Sequence, residues 1–242
     1  MPELKLLIFD VDGTLVDSER YGHLPASNDA MEQLGLSIRW SWEEFLELLP
    51  IPGNVNRLRK TLTDQGLPAG EIEEIVSKFA PLKQRIYIEK YLPTLRLREG
   101  IRELIAEAVQ RGMELAIVST SYETQIRALL QNQLSEFATH FRVILGKESG
   151  PKTGPEGKLY PMCLEQTGYA AEETLAVEDS EEGLRAAVAA GIPTVVFYND
   201  YTFGSSFAHA ILVAPGASGF NLNLLETIHA QSLNLFRRVV QK

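Results

Sequence analysis

Two regimes of apolar spacing divide the chain. From residue 93 onward, short apolar runs alternate with stretches in which apolar side chains recur every three or four positions. The runs read as buried strands: Glu114–Val118, Phe141–Leu145, Thr174–Val177, Thr194–Tyr198 and Ala210–Val213, with a further run at Leu4–Phe9. The periodic stretches read as helices over Arg98–Arg111, Thr124–Leu130, Glu156–Gln166 and Glu181–Ala190, with a last helix inside Phe220–Val239. Strands interleaved with helices imply a parallel sheet covered on both faces. Residues 17–92 break this alternation and carry helical spacing only. There the pattern predicts helices over Glu19–Leu34, with Pro25 bending it or marking its start, from Trp42 to Leu49 behind a Ser41 cap, over Asn54–Leu62, and from Glu71 to about Tyr91. The expectation is an α/β protein: a parallel-sheet core from residues 1–16 and 93–242, interrupted by an all-α insert, 17–92.

Polar residues collect where the predicted strands end. Asp10 and Asp12, followed by Gly13 and Thr14, come straight after Phe9. Ser119 follows Val118, Glu178 and Asp179 follow Val177, and a basic loop, Lys147 to Lys158, follows Leu145. Ligands in open parallel sheets bind beyond the carboxyl ends of the strands. A lone Asp-x-Asp-Gly turn is a common surface feature; four strand ends bearing chemistry are not. Carboxylates at i and i+2 leaving a strand can point the same way and repel unless a cation lies between them, and Mg²⁺ prefers oxygen ligands of this kind.

Composition narrows the partners. With 23 basic and 32 acidic residues the formal charge is −9, so the chain has no general attraction for nucleic acid or an anionic membrane. A phosphorylated substrate would need a local cluster of donors. The one cysteine, Cys163, excludes an intrachain disulfide and fits a reducing, cytoplasmic setting; it reads as a core thiol. No run of 18 apolar residues exists, and the first apolar run is too short for a signal peptide. The four histidines are scattered, without zinc spacing, and there is no Gly-x-Ser-x-Gly elbow.

The strand-end residues also carry a resemblance. Phe9-Asp10-Val11-Asp12-Gly13-Thr14-Leu15-Val16-Asp17-Ser18-Glu19 resembles the first motif of the haloacid-dehalogenase-like (HAD) phosphatases and phosphomutases. Ala116-Ile117-Val118-Ser119-Thr120-Ser121 resembles the second, and Leu175-Ala176-Val177-Glu178-Asp179-Ser180 the fourth. The third motif is a lysine; Lys152 in the run Lys152–Tyr160 matches best, with Lys158 as the alternative.

The resemblance implies a Rossmann-like HAD core with the helical insert as a cap. It further implies a phosphoric monoester hydrolase in which Asp10 forms an aspartyl-phosphate and Asp12 acts as acid and base. Ser119, the Thr120 N–H and Lys152 would bind phosphate. Mg²⁺ would be held by Asp10, the Asp12 carbonyl, Asp179 and, through water, Glu178. In the cap, Arg57 beside the Pro52-Gly53-Asn54 turn is the chosen reader of a substrate's distal end.

Within the superfamily, the stretch Glu43–Leu49 and the pair Tyr201-Thr202 are similar to CbbY-type sugar-bisphosphate phosphatases, which act on pentulose bisphosphates such as xylulose-1,5-bisphosphate. The expected substrate is therefore a small sugar phosphate or bisphosphate. A β-phosphoglucomutase-like mutase is the alternative, weakened because the position of its cap histidine holds Gly22, with His23 one residue on. A catalytically silent sugar-phosphate binding module is the alternative of another class. The oligomeric state stays open, a monomer being compatible.

Overall fold

The protein, a computed structural model, is described over residues 2–240, with side chains through residue 234. It divides into two compact units: residues 1–16 with 96–242, and residues 17–95.

The first unit is a six-stranded parallel sheet with helices interleaved along the chain. Its strands are β1 (Leu6–Phe9), β2 (Glu114–Val118), β3 (Phe141–Leu145), β4 (Thr174–Glu178), β5 (Thr194–Phe197) and β6 (Leu212–Ala214), in the spatial order β3-β2-β1-β4-β5-β6. All pairings are parallel. The order steps outward from β1 to β3, returns to β4, and then steps outward the other way. This puts a topological switch point between β1 and β4, the place beyond the strand ends where open parallel sheets bind ligands. Burial fixes β1 at the centre: Leu6, Leu7, Ile8 and Phe9 have no exposed surface, and each such side chain contributes about 1.5–3 kcal/mol. Ile8, Ala116, Val118, Val143, Tyr160, Cys163 and Ala176 share one apolar cluster. Cys163 is thus a core residue, and burial pushes its thiol up to about 12.

The helices of this unit are Ile101–Gln110, Glu123–Gln133, Leu159–Thr167, Glu181–Ala189 and Leu222–Val240. The first was expected from Arg98, but there the chain is taken by another partner: the Arg98 N–H donates to Leu15 O at 2.8 Å, and Gly100 turns the chain in the left-handed region at φ +84°. The third was expected from Glu156. Instead the Lys158 N–H donates back to Pro151 O at 2.9 Å, closing the loop 151–158 and delaying the helix to Leu159. β6 lies at Leu212–Ala214 rather than Ala210–Val213, because its register is set by Val195 and Phe197 of β5.

The second unit contains α-helices at Leu24–Gln33, Trp42–Leu48, Asn54–Asp64 and Ala69–Ile86. Ser41 and Glu44 form a reciprocal capping box. Glu19–His23, expected to continue as α-helix, forms a wider π-type turn, and Pro25 sits at the start of the helix that follows. Tyr87–Tyr91 is likewise π-type. The two wide turns meet at Gly22, where a Cβ would lie 2.7 Å from a Tyr87 ring carbon. His23 stacks on Tyr87, ring centroids 4.3 Å apart, with Nδ1 2.7 Å from Lys83 Nζ.

Candidate active site

The sheet register decides which side chains meet. β1 pairs with β4 so that Phe9 lies opposite Val177, and the Asp10 N–H donates to Val177 O at 3.0 Å. Asp10, just past β1, and Glu178, the last residue of β4, therefore lie side by side at the ends of the two strands. Ser119 leaves β2 next to them, its N–H donating to Leu145 O at 3.0 Å.

Asp10, Glu178 and Asp179 are all buried, and each offers an oxygen within 4.8 Å of the others. Lys152 Nζ sits among them, 2.5 Å from Asp10 Oδ1 and 2.7 Å from Glu178 Oε1, and is itself buried. Lys158 is exposed, its side chain lying over Gly150. Burial raises Asp10 from 3.8 to about 7; Lys152 opposes the rise, while Glu178 and Asp12 add to it. Burial, with Asp10 and Glu178 nearby, also holds Asp179 well above the ordinary carboxylate range. Burial works against the charge of Lys152, but Asp10 and Glu178 outweigh it and hold the ammonium above its usual value. Three buried acids thus share one lysine, and without a further cation burial and mutual repulsion disfavour their charged forms. Glu178 Oε2 is moreover buried without a hydrogen-bond partner among the described residues. An all-oxygen, anionic donor set with an orphaned oxygen fits a hard divalent cation such as Mg²⁺.

Asp12 is partly exposed, and its Oδ2 accepts a hydrogen bond from Ser121 Oγ. Ser119 is buried and accepts from the Ser121 N–H at 3.1 Å, whereas Thr120 is exposed. Gly13 makes the turn possible: φ is +85°, and a Cβ there would lie 2.2 Å from Asp179 Oδ2.

Several side chains that sequence reasoning passed over support these groups. Tyr160 OH donates to Glu178 Oε1. Gly183 lies so close that a Cβ would fall 2.0 Å from Glu178 Oε2. Asn199 Nδ2 donates to Asp179 Oδ2 at 2.8 Å, and Arg98 donates to the carbonyls of Gly13, Phe197, Tyr198 and Pro215. Only Tyr160 carried a signal, as the last residue of the run beginning at Lys152.

Arg57 belongs to the other unit. Its buried guanidinium donates to Glu19 at 3.1 Å, Ile51 O at 3.0 Å, Asn54 Oδ1 at 3.2 Å and Leu49 O at 3.4 Å, and lies over the Phe45 ring. It is tied into its own unit on all of these sides.

Residues 7–197 match the family model of haloacid dehalogenase-like hydrolases. The chain is 37% identical to the plasmid-encoded CbbY protein of Cupriavidus necator over 217 residues, 88% of this chain and 85% of that protein. The crystal structure of CbbY from Rhodobacter sphaeroides in complex with phosphate superposes with a TM-score of 0.75 at 31% identity, covering 92% of this chain and 99% of that one. A mutant of that protein in complex with xylulose-(1,5)bisphosphate gives 0.74 at 30% identity, with the same coverage. Among the described residues no helix is long and apolar enough to cross a membrane.

Proposed function

Because the chain belongs to the haloacid dehalogenase-like hydrolases, we propose that it is a Mg²⁺-dependent phosphatase of a small sugar phosphate or bisphosphate, working in the cytoplasm. A pentulose bisphosphate of the xylulose-1,5-bisphosphate type is the first substrate to try. The observation that carries the reading is Lys152 bridging Asp10 and Glu178 at 2.5 and 2.7 Å inside a buried group of three acids. The CbbY structure with bound xylulose bisphosphate supports the choice of substrate class.

In this scheme Asp10 attacks phosphorus in line, and the sugar oxygen leaves as an aspartyl-phosphate forms. Asp12, partly exposed and held by Ser121, gives the leaving oxygen a proton and then takes one from the hydrolytic water. Ser119, the Thr120 N–H and Lys152 hold the phosphoryl oxygens, a preorganised set of donors where charge builds up. Asp10, the Asp12 carbonyl and Asp179, with Glu178 through water, would hold Mg²⁺, which when bound draws charge from the phosphoryl group. Residues 17–95 serve as the cap that reads the rest of the sugar.

A mutase has less support: the close approach of Tyr87 leaves no room for a histidine at Gly22. A silent binding module would not need three buried acids around a buried lysine.

The test is phosphate release from a panel of sugar mono- and bisphosphates, with Mg²⁺ and with chelator, using Asp10→Asn as the blank. Release that needs Mg²⁺ and vanishes in Asp10→Asn is expected, fastest on a bisphosphate. Isomerised sugar without free phosphate would favour the mutase, and retained activity in Asp10→Asn would sink the mechanism.

A further inference from the structure

Of the three acids in the buried group, Lys152 pairs with Asp10 and Glu178, and the third is Asp179. Its oriented donor comes from Asn199, beyond the end of β5. Asn199 is buried, and its two ends do different things. Oδ1 organises its own loop by accepting from the N–H groups of Tyr201 (3.2 Å) and Thr202 (3.0 Å) and from Thr202 Oγ1 (3.1 Å). This is a self-capped turn of the kind asparagine forms readily. Nδ2 is thereby aimed the other way and donates to Asp179 Oδ2 at 2.8 Å and to Gly13 O at 3.3 Å. One side chain so joins the acid after β4 to the turn after β1, next to the Asp12–Gly13 peptide. Thr14 Oγ1, at 3.4 Å from Asp179 Oδ1, is the weaker contact on the other oxygen.

We propose that Asn199 is a positioning residue that presets Asp179 and the Gly13 turn for a divalent cation. This rests on the cation reading given above. An amide N–H fixes one carboxylate oxygen and leaves the other to bind, and the same amide fixes the backbone beside the carbonyl of Asp12. Loss of an outer partner of this kind typically costs 10–100-fold in metal affinity.

The test measures cation binding directly, with Mn²⁺ followed by electron paramagnetic resonance of the free ion. Three variants separate the two ends of Asn199. Asn199→Ala removes both. Asn199→Ser keeps a short oxygen for the turn and removes the amide, which guards against a variant that fails to fold. Thr202→Ala removes the loop hydroxyl and leaves the amide. Asn199→Ala and Asn199→Ser should each bind Mn²⁺ about 10-fold or more weakly, and raising Mg²⁺ should recover most of kcat. Thr202→Ala, which leaves the Asn199 amide in place, should lose clearly less Mn²⁺ affinity than Asn199→Ser. Equal Mn²⁺ affinity in Asn199→Ser, or an equal loss in Thr202→Ala, overturns the proposal. No binding by the unaltered protein would instead overturn the cation reading beneath it.

Discussion

Gly183 offers the sharpest test of how Glu178 is held. It lies in the first turn of the helix Glu181–Ala189, where its N–H donates to Ser180 Oγ at 3.2 Å, so the start of the helix is pinned. In Gly183→Ala the new Cβ would lie 2.0 Å from Glu178 Oε2 and 2.4 Å from its Cδ, where ordinary contact begins at 3.4 Å. The carboxylate must move by more than about 1 Å, and it cannot do so while Lys152 and Tyr160 hold Oε1. Overpacking costs about 1–3 kcal/mol, and weakened hydrogen bonds to a charged group add about 1.5–3. Alanine's better helix propensity returns at most about 1. The net loss is roughly 1.5–5 kcal/mol, which for a chain of this size lowers the thermal midpoint by about 3–20 °C. Gly70→Ala is the matched control: it also lies in the first turn of a helix, but its Cβ would meet nothing within 4 Å. That variant should be neutral or gain about 0.4–1 kcal/mol. Scanning fluorimetry of both, with the Mg²⁺ half-saturation of phosphate release, decides the matter. A Gly183→Ala midpoint equal to that of Gly70→Ala, with unchanged Mg²⁺ dependence, would show that Glu178 does not press on this helix.

Two other perturbations follow from the same reasoning. Arg57→Ala strands the Glu19 carboxylate and the Leu49 and Ile51 carbonyls, so it should cost about 3 kcal/mol and lower the midpoint by about 6–12 °C; a raised KM at an unchanged midpoint would instead make Arg57 a substrate group. The pH dependence comes from Asp10, whose carboxyl rises from 3.8 to about 7 on folding, so between these values the folded state binds more protons and loses stability as pH rises. In chelator, Asp10→Asn should gain stability relative to the unaltered protein from pH 5 to 8; an equal difference in unfolding free energy between the two proteins at both ends, from urea titrations, would refute it. The depressed titration of His229 is common to both proteins and drops out of the comparison.

The strands and the reactive acids could be read from the sequence because their signals are local. A short apolar run such as Leu6–Phe9 reads as a buried strand in an α/β pattern, and Asp10 stands out as the acid on which that run ends. The helix starts at Ile101 and Leu159 were misplaced because the deciding bonds, from the N–H groups of Arg98 and Lys158, go to residues outside the helical pattern. Asn199 and Arg98 left no trace for a similar reason. Asn199 meets Gly13 across 186 positions of sequence and Arg98 reaches Phe197 across 99, so only the sheet order brings them together. The commitment of Arg57 to Glu19, 38 residues earlier, was equally invisible beside a turn that looked open.

The central position of β1 bears on how the chain is made. Its neighbours are β2, about a hundred residues later, and β4, later still by some sixty. At ribosomal speeds of about 5–20 residues per second, the Leu6–Phe9 run waits roughly 10–30 s for both partners. During that interval residues 17–95 are complete and can collapse on their own, while four apolar side chains upstream stay unpaired. Nascent chains should therefore be a target for chaperones that hold short apolar strands, until synthesis passes β4.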